Sequence, residues 1–471
     1  MSLRLFGMLV VFVGLVACGP AARNNPPVEG GACDPGDTAD CYTGQDGTDG
    51  VGPCKGGTRS CESTGMWGKC VGEVFPTQEL CTDGVDNNCN GSIDEDEDRD
   101  GDGLTTCAGD CCDSTECGSP AIVNPGAFDA PGNNFDDDCN GTIDDTQLFC
   151  DQNLASGTLN ANDYAKAIDL CQTATMTEKK WGVISATLTL ADGTGVPASN
   201  AQSIRNHFGT GVMPRGGVNM ALLSTGAAAG RGDTNPAYQD FENTPQFNGN
   251  NTQSAFPSDF LMANGGTLPN APGCPDPSGT TANDPVMLTL TVRVPTNAKS
   301  FKLATNFFSS EFPEFTCSPF NDFFVVLLDS VFTGVPANPT DKNLAFYLGN
   351  GQKYPVGVNL AHGNTGLFTQ CMNGETGCSG MSGSIMTCLG TTQLSGTGLD
   401  TPTPGSCDGA ALQGGGTGWL ETSGNVNPGE IMKLRIAIWD TSDHILDSIA
   451  MVDGFQWSVD ASQPGTVIFR Q

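Results

Sequence analysis

A mainly β chain is predicted, in which disulfide-rich, loop-rich acidic modules precede an antiparallel, jelly-roll-like β-sandwich, and three observations predict it. Beyond Asp151, apolar and polar residues alternate with a period of two in several runs, the signature of half-buried strands. Those runs are short and separated by Gly, Asn and Pro, which fits an antiparallel sandwich better than alternating strands and helices. Before Asp151 the chain is crowded with cysteine, glycine and aspartate and has little to pack.

Charge divides the chain in the same place. Residues 19–150 hold 27 acids and 5 bases, a net of −22; residues 151–471 hold 26 and 14, a net of −12; Arg4 brings the total to −33. Self-repulsion on that scale opposes compaction unless cations or cross-links offset it. Nucleic acid and anionic headgroups are poor partners for such a surface.

In chain order, the first element is a leader. Arg4 precedes an apolar run from Leu5 to Ala17, too short to span a bilayer and typical of a signal-peptide core. Leu15-Val16-Ala17-Cys18 resembles the bacterial lipoprotein cleavage box, which implies removal of residues 1–17 and lipidation of Cys18. Gly19 after that cysteine implies outer-membrane sorting. The mature chain is then expected to be lipid-anchored and exposed at the cell surface, with residues 18–29 as a polar tether.

Without Cys18, 20 of the 21 cysteines remain: 14 between Cys33 and Cys171 and six between Cys274 and Cys407. Even numbers on both sides indicate a disulfide framework in an exported protein. Spacing alone does not fix the pairing; Cys150 with Cys171 and Cys371 with Cys378 are the pairs expected. Residues 30–77 form a small cysteine module, with Trp67 among few aromatics, and resemble modules that precede acidic repeats in exported myxobacterial lipoproteins.

Residues 78–150 carry a duplicated acidic signature, Thr82 to Glu95 and Asn133 to Asp145, around the run Asp98 to Gly103. Closely spaced carboxylate and amide oxygens punctuated by glycine suit a hard divalent cation. The expected ligands are Asp83, Asp86, Asn88, Asn90 and Asp94 in the first copy, Asp98, Asp100, Asp102, Asp110 and Asp113 centrally, and Asp136, Asp138, Asn140 and Asp144 in the second copy. Asp98, Asp100, Asp102 and Gly103 follow the first half of an EF-hand-like loop, with Gly109 where its last glutamate would stand. Calcium is the expected ion. The region resembles the MopE-type metal-binding repeat, departing from it at Asn87-Asn88-Cys89-Asn90-Gly91 and at Cys112. That resemblance brings in copper as an alternative, and with it an exported metal scavenger. Copper favours imidazole or thiolate, yet the three histidines, His207, His362 and His444, lie outside the repeats.

From Asp151 onward, Leu159 to Gln172 reads as a short helix capped by Asn162. Strands are expected at Ile184–Leu190, Val286–Val294 and Met432–Trp439, and Phe323–Leu328, apolar on both faces, is expected to be a central buried strand. Val218–Ala228, Phe301–Leu328 and His444–Trp457 resemble the choice-of-anchor L domain of bacterial surface proteins, which implies a surface location and a sandwich and no established activity.

Glu311, Glu314, Asn321 and Asp322 bracket one loop, and Asp440, Asp443, Asp447 and Asp453 lie near the last strands. If the two groups meet, they make a second metal or ligand site; Glu311 with Glu314 also invites a glycosidase reading. No metalloprotease helix, nucleophile elbow or phosphate loop is present, so no enzyme is expected. The partners expected are the membrane, through the lipid, and an extracellular protein or glycan, for which Trp419 is the exposed-aromatic lead.

Overall fold

The computed structural model describes residues 32–77, 79–94, 98–113, 120–145, 148–241, 250–363, 365–378, 384–400, 403–404 and 411–469. The leader, Cys18 and the tether lie outside the described residues. By its contacts the chain divides into two compact units, residues 1–97 with 105–107, and residues 98–104 with 108–471.

In the first unit, β1 (Thr38–Cys41) and β2 (Gly57–Ser60) make one short antiparallel ladder. Its buried apolar groups include Cys41, Cys54, Cys61 and Cys89, whereas Val71, Phe75 and Leu80 are exposed. Disulfides replace the missing core. Cys33–Cys61, Cys41–Cys70, Cys54–Cys89 and Cys81–Cys107 close loops of 28, 29, 35 and 26 residues. In the chain-entropy picture each contributes about 3 to 4 kcal/mol.

The second unit contains the sandwich. Its strands are β3 (Gly182–Thr189), β4 (Gln202–Arg205), β5 (Met220–Ser224), β6 (Gln253–Ser254), β7 (Ala282–Arg293), β8 (Ser300–Ser309), β9 (Phe323–Asp329), β10 (Phe346–Gly349), β11 (Gln352–Pro355), β12 (Gly374–Glu375), β13 (Ile385–Met386), β14 (Thr403–Pro404), β15 (Ala411–Leu412), β16 (Gly415–Gly416), β17 (Leu420–Asn425), β18 (Ile431–Thr441), β19 (Ser448–Ser458) and β20 (Gly465–Ile468). One sheet runs β20-β17-β8-β19-β5-β4 with β16 on β8, and the other β3-β7-β18-β9 with β6 on β7. The ladders are antiparallel. From β7 to β9, and again from β17 to β19, each connection passes to the other sheet, as in a jelly roll.

Alternation decides what lies between the sheets. Val286, Leu288, Leu290 and Val292 of β7, Met432, Leu434, Ile436 and Ile438 of β18, Phe324, Val326 and Leu328 of β9, and Phe301, Leu303 and Phe307 of β8 form one core. Each such side chain, fully buried, contributes about 1.5 to 3 kcal/mol. The opposite face of β9, Phe323, Val325 and Leu327, packs with Trp439 under Phe256 and Phe260, the latter from α2 (Ser258–Ala263).

Three expectations are corrected. Strand β9 is buried on both faces but ends its sheet; segment 342–356 covers its outer edge through Leu328 N to Lys342 O, Leu344 N to Val326 O and Phe324 N to Val356 O. Helix α1 is Ala161–Ala167, capped by Asn160 rather than Asn162. It stops early because Asp169 takes a left-handed conformation, φ 71°. Cys150 bonds Cys171, but Cys371 bonds Cys388, which the Cys371 N to Gly390 O bond brings alongside; Cys378 forms a separate disulfide.

Candidate cation-binding sites

The two acidic copies stand 50 residues apart, Asp86 with Asp136, Cys89 with Cys139 and Asp94 with Asp144, and they fold alike. Cys89 and Cys139 have φ of 57° and 59°, and Asp94 and Asp144 have 51° and 52°. Asp86 accepts the N–H groups of Asn90 and Gly91, and Asp136 those of Asn140 and Gly141. Asn90 and Asn140 each accept the N–H two residues on, at 2.8 Å. Asp94 takes the N–H groups of Asp83 and Gly84, and Asp144 those of Gly132, Asn133 and Asn134. Asp83, Asn88 and Asp138 close further turns on Val85, Asn90 and Asn140. These acids therefore organise the backbone. A carboxylate has about four lone-pair sites, so the single N–H on each oxygen of Asp86 and Asp136 leaves capacity for an ion, whereas Oδ1 of Asp94 and Asp144 is already shared by two or three N–H groups.

The acids converge in the central run. Oxygens of Asp98, Asp100 and Asp113 lie within 4.8 Å of one another, and so do those of Asp100, Asp102 and Asp110. Asp100 belongs to both groups. Its Oδ1 accepts from Asp102 N, and its buried Oδ2 has no hydrogen-bond partner. Asp98 is held by the N–H groups of Gly101 and Gly103, both at positive φ, and Asp113 by Arg99 N at 2.7 Å. Burial, then neighbouring negative charge, raises Asp100 and lifts Asp110 to about 6. Sequence reasoning missed Asn124, the first residue of an Asn-Pro-Gly-Ala stretch. Fully buried, it donates from Nδ2 to Asp102 Oδ2 at 2.6 Å and accepts from Gly126 N and Thr296 Oγ1. It fixes one carboxylate of the run.

The second site follows from strand parity. On β18 the even-numbered residues face the core up to Ile438, so Asp440 continues that rank. On β9 they start at Phe324, so Asp322 precedes it on the same face. The ladder pairs Ile438 with Phe324, and extending it by two places Asp440 opposite Asp322. Reciprocal bonds between Asn321 and Thr441 hold that register: Asn321 N donates to Thr441 Oγ1, which donates to Asn321 O. Odd residues of β8 face the core, and Glu311 extends that rank beyond Ser309. All three carboxylates thus meet at one end of the sandwich, within 4.8 Å. Glu311 is 2%, Asp322 0% and Asp440 3% exposed, and among the described residues none of the three has a basic partner. Both Asp322 oxygens and Asp440 Oδ1 lack hydrogen-bond partners. Like charges directly opposite repel. Burial first, then mutual repulsion, pushes Glu311 and Asp440 well above the carboxylate range, and burial takes Asp322 to about 8.

Of the remaining acids of that group, Asp443 and Asp447 lie near it, whereas Asp453 lies apart, with Asp151 and Asp169. Asp443 is half-buried and accepts Ile445 N, and Asn321 accepts Asn359 N. Asp447 faces Gly226, where a Cβ would fall 2.1 Å from its Oδ2. Glu314 is not among the converging carboxylates. Cys274, Cys317 and His362 also gather, but the two sulfurs are joined as a disulfide. Asp233 of the Arg231-Gly232-Asp233 tripeptide pairs with Arg205, and Arg231 with Asp400.

Two family matches indicate the class, a surface-associated protein carrying a metal-binding motif. Residues 223–455 match the choice-of-anchor L domain, and residues 73–95 and 119–145 match the MopE-type model described as a "putative metal-binding motif". No curated protein and no solved structure matches the chain. Among the described residues no helix is long and apolar enough to cross a membrane.

Proposed function

We propose that this is a lipid-anchored, non-enzymatic surface protein whose acidic repeats are stiffened by calcium and whose sandwich is a binding head. The observation that carries the reading is the convergence on Asp100 of two three-carboxylate groups, with one buried oxygen lacking a partner. Calcium takes six to eight oxygen ligands, and this donor set is all oxygen. Among the described residues the one grouping with sulfur and imidazole has its thiols consumed in a disulfide, which tells against copper. Cys18 would supply the anchor. The burial of Glu311 tells against a glycosidase, whose carboxylates must reach a bound sugar.

Limited proteolysis of the full chain tests the reading. Calcium is expected to protect residues 78–150, and chelator to open them; identical digests in both would defeat it. A glycan-binding head is the second reading, favoured by an open pocket of about 440 Å³ where Trp419 and Phe469 stand beside Thr369, Gln370 and Gln393. Binding on a glycan array, lost in Trp419→Ala, would establish it.

A further inference from the structure

We infer that Asp151, Asp169 and Asp453 form a separate hard-cation site, closed by the Arg215–Gly217 loop and braced by the Cys150–Cys171 disulfide. Asp151 and Asp453 are fully buried and Asp169 is 7% exposed. Both oxygens of Asp169 and Oδ1 of Asp151 are buried with no hydrogen-bond partner. The charges that act on Asp169 are those of Asp453 and Asp151, so among the described residues no base offsets the repulsion. Three buried acids, two of them with orphaned oxygens and with no base acting on Asp169, call for a cation.

The loop is shaped around the carboxylates. Asp453 Oδ2 takes the N–H groups of Arg215 and Gly216, and Asp151 Oδ2 those of Val218 and Asn219. A Cβ on Gly216 would fall 1.9 Å from Asp169 Oδ2, and one on Gly217 would fall 2.4 Å from Asp151 Oδ2. Gly217 also sits at φ +44°. Two consecutive residues without side chains let the backbone approach both acids. The disulfide brackets the pair covalently: Asp151 follows Cys150, and Asp169 lies two residues before Cys171. Its left-handed backbone, which ends α1, turns Asp169 out of the helix.

Oxygens of the three acids do not all come within 4.8 Å of one another, so an ion here takes one or two of the carboxylates directly and reaches the rest through water. Calcium, with six to eight oxygens that include water, fits such a shell better than magnesium with its tight octahedron. The site lies outside the acidic repeats, so it stands or falls apart from their stiffening by calcium.

The test uses the full chain with calcium chloride as probe, reading hydrogen exchange by segment and bound ions by native mass spectrometry. In calcium at about a hundred times the dissociation constant, residues 148–171 and 214–219 are expected to exchange about tenfold to a hundredfold more slowly than in chelator. Folded Asp169→Asn is expected to lose one bound calcium and that protection, while residues 98–113 keep theirs. Should Asp169→Asn fail to fold, the wild-type exchange decides alone. Unchanged exchange in these two segments, or an unchanged ion count in the folded variant, would overturn the site; the response of residues 98–113 reports separately on the acidic repeats.

Discussion

Substitution of Asp322 by Asn should stabilise the protein in chelator and weaken its response to calcium. The Asp322 carboxyl sits at about 8 when folded, against about 3.9 in an unfolded chain. A raised folded pKa means that its stability contribution is complete below about pH 4 and is lost as pH rises through about 8. At about 1.4 kcal/mol per unit, ionising it at pH 8 costs up to about 5 kcal/mol, comparable with the whole stability of a small domain. Glu311 and Asp440, raised in the same direction, add to that cost. In chelator, the melting temperature of the wild type should therefore fall between about pH 5 and pH 8. At about 10 mM calcium a site binding at about 10⁻⁴ to 10⁻³ M restores about 1 to 3 kcal/mol, a rise of about 3 to 8 °C. Asp322→Asn removes the charge, so its melting temperature in chelator at pH 8 should exceed that of the wild type, and calcium should raise it by less than it raises the wild type, the remaining rise coming from the other proposed sites. Differential scanning calorimetry in the four combinations of pH and calcium reads this. A flat wild-type profile in chelator, or a full calcium response in the variant, would refute the reasoning.

Asp100→Asn breaks both groupings of the central run, and calcium-dependent protease protection of residues 98–113 should disappear while the sandwich transition stays within about 0.5 kcal/mol. Asp259, held well below the usual range first by Arg435 hydrogen bonds and then by Lys342, has the opposite sign: its contribution is present above about pH 4 and lost as pH falls. Being about a third exposed, it should cost about 1 kcal/mol when changed to Asn, seen in melts at neutral pH and smaller at about pH 2. Cys388→Ser opens a 17-residue loop and should cost about 2 to 4 kcal/mol in a denaturant titration.

Much of the fold was legible because a period of two encodes both strand and facing. Val286 to Val294 and Met432 to Ile438 show it plainly, and those ranks do face the core. The position of β9 was not legible: an all-apolar strand reads as central, whereas here loop and helix cover what sheet neighbours would have. The acids of the Asp98–Asp113 run follow from local spacing, and they converge. Glu311, Asp322 and Asp440 were noticeable as acids near strand ends, but their meeting depends on the β9–β18 register, a relation between segments more than a hundred residues apart in sequence. Asp151 and Asp169 carried no local signal, since a disulfide, a glycine pair and a left-handed turn bring them to Asp453. Pairing of Cys371 with Cys388 likewise needs the backbone between Thr369 and Gly390.

The most direct measurement is the metal content of the full-length protein purified from its native host, by elemental analysis and native mass spectrometry. The account predicts calcium, more than one ion per chain, on a protein whose cysteines are oxidised. A metal-free protein with reduced thiols, or one carrying copper alone, would contradict it.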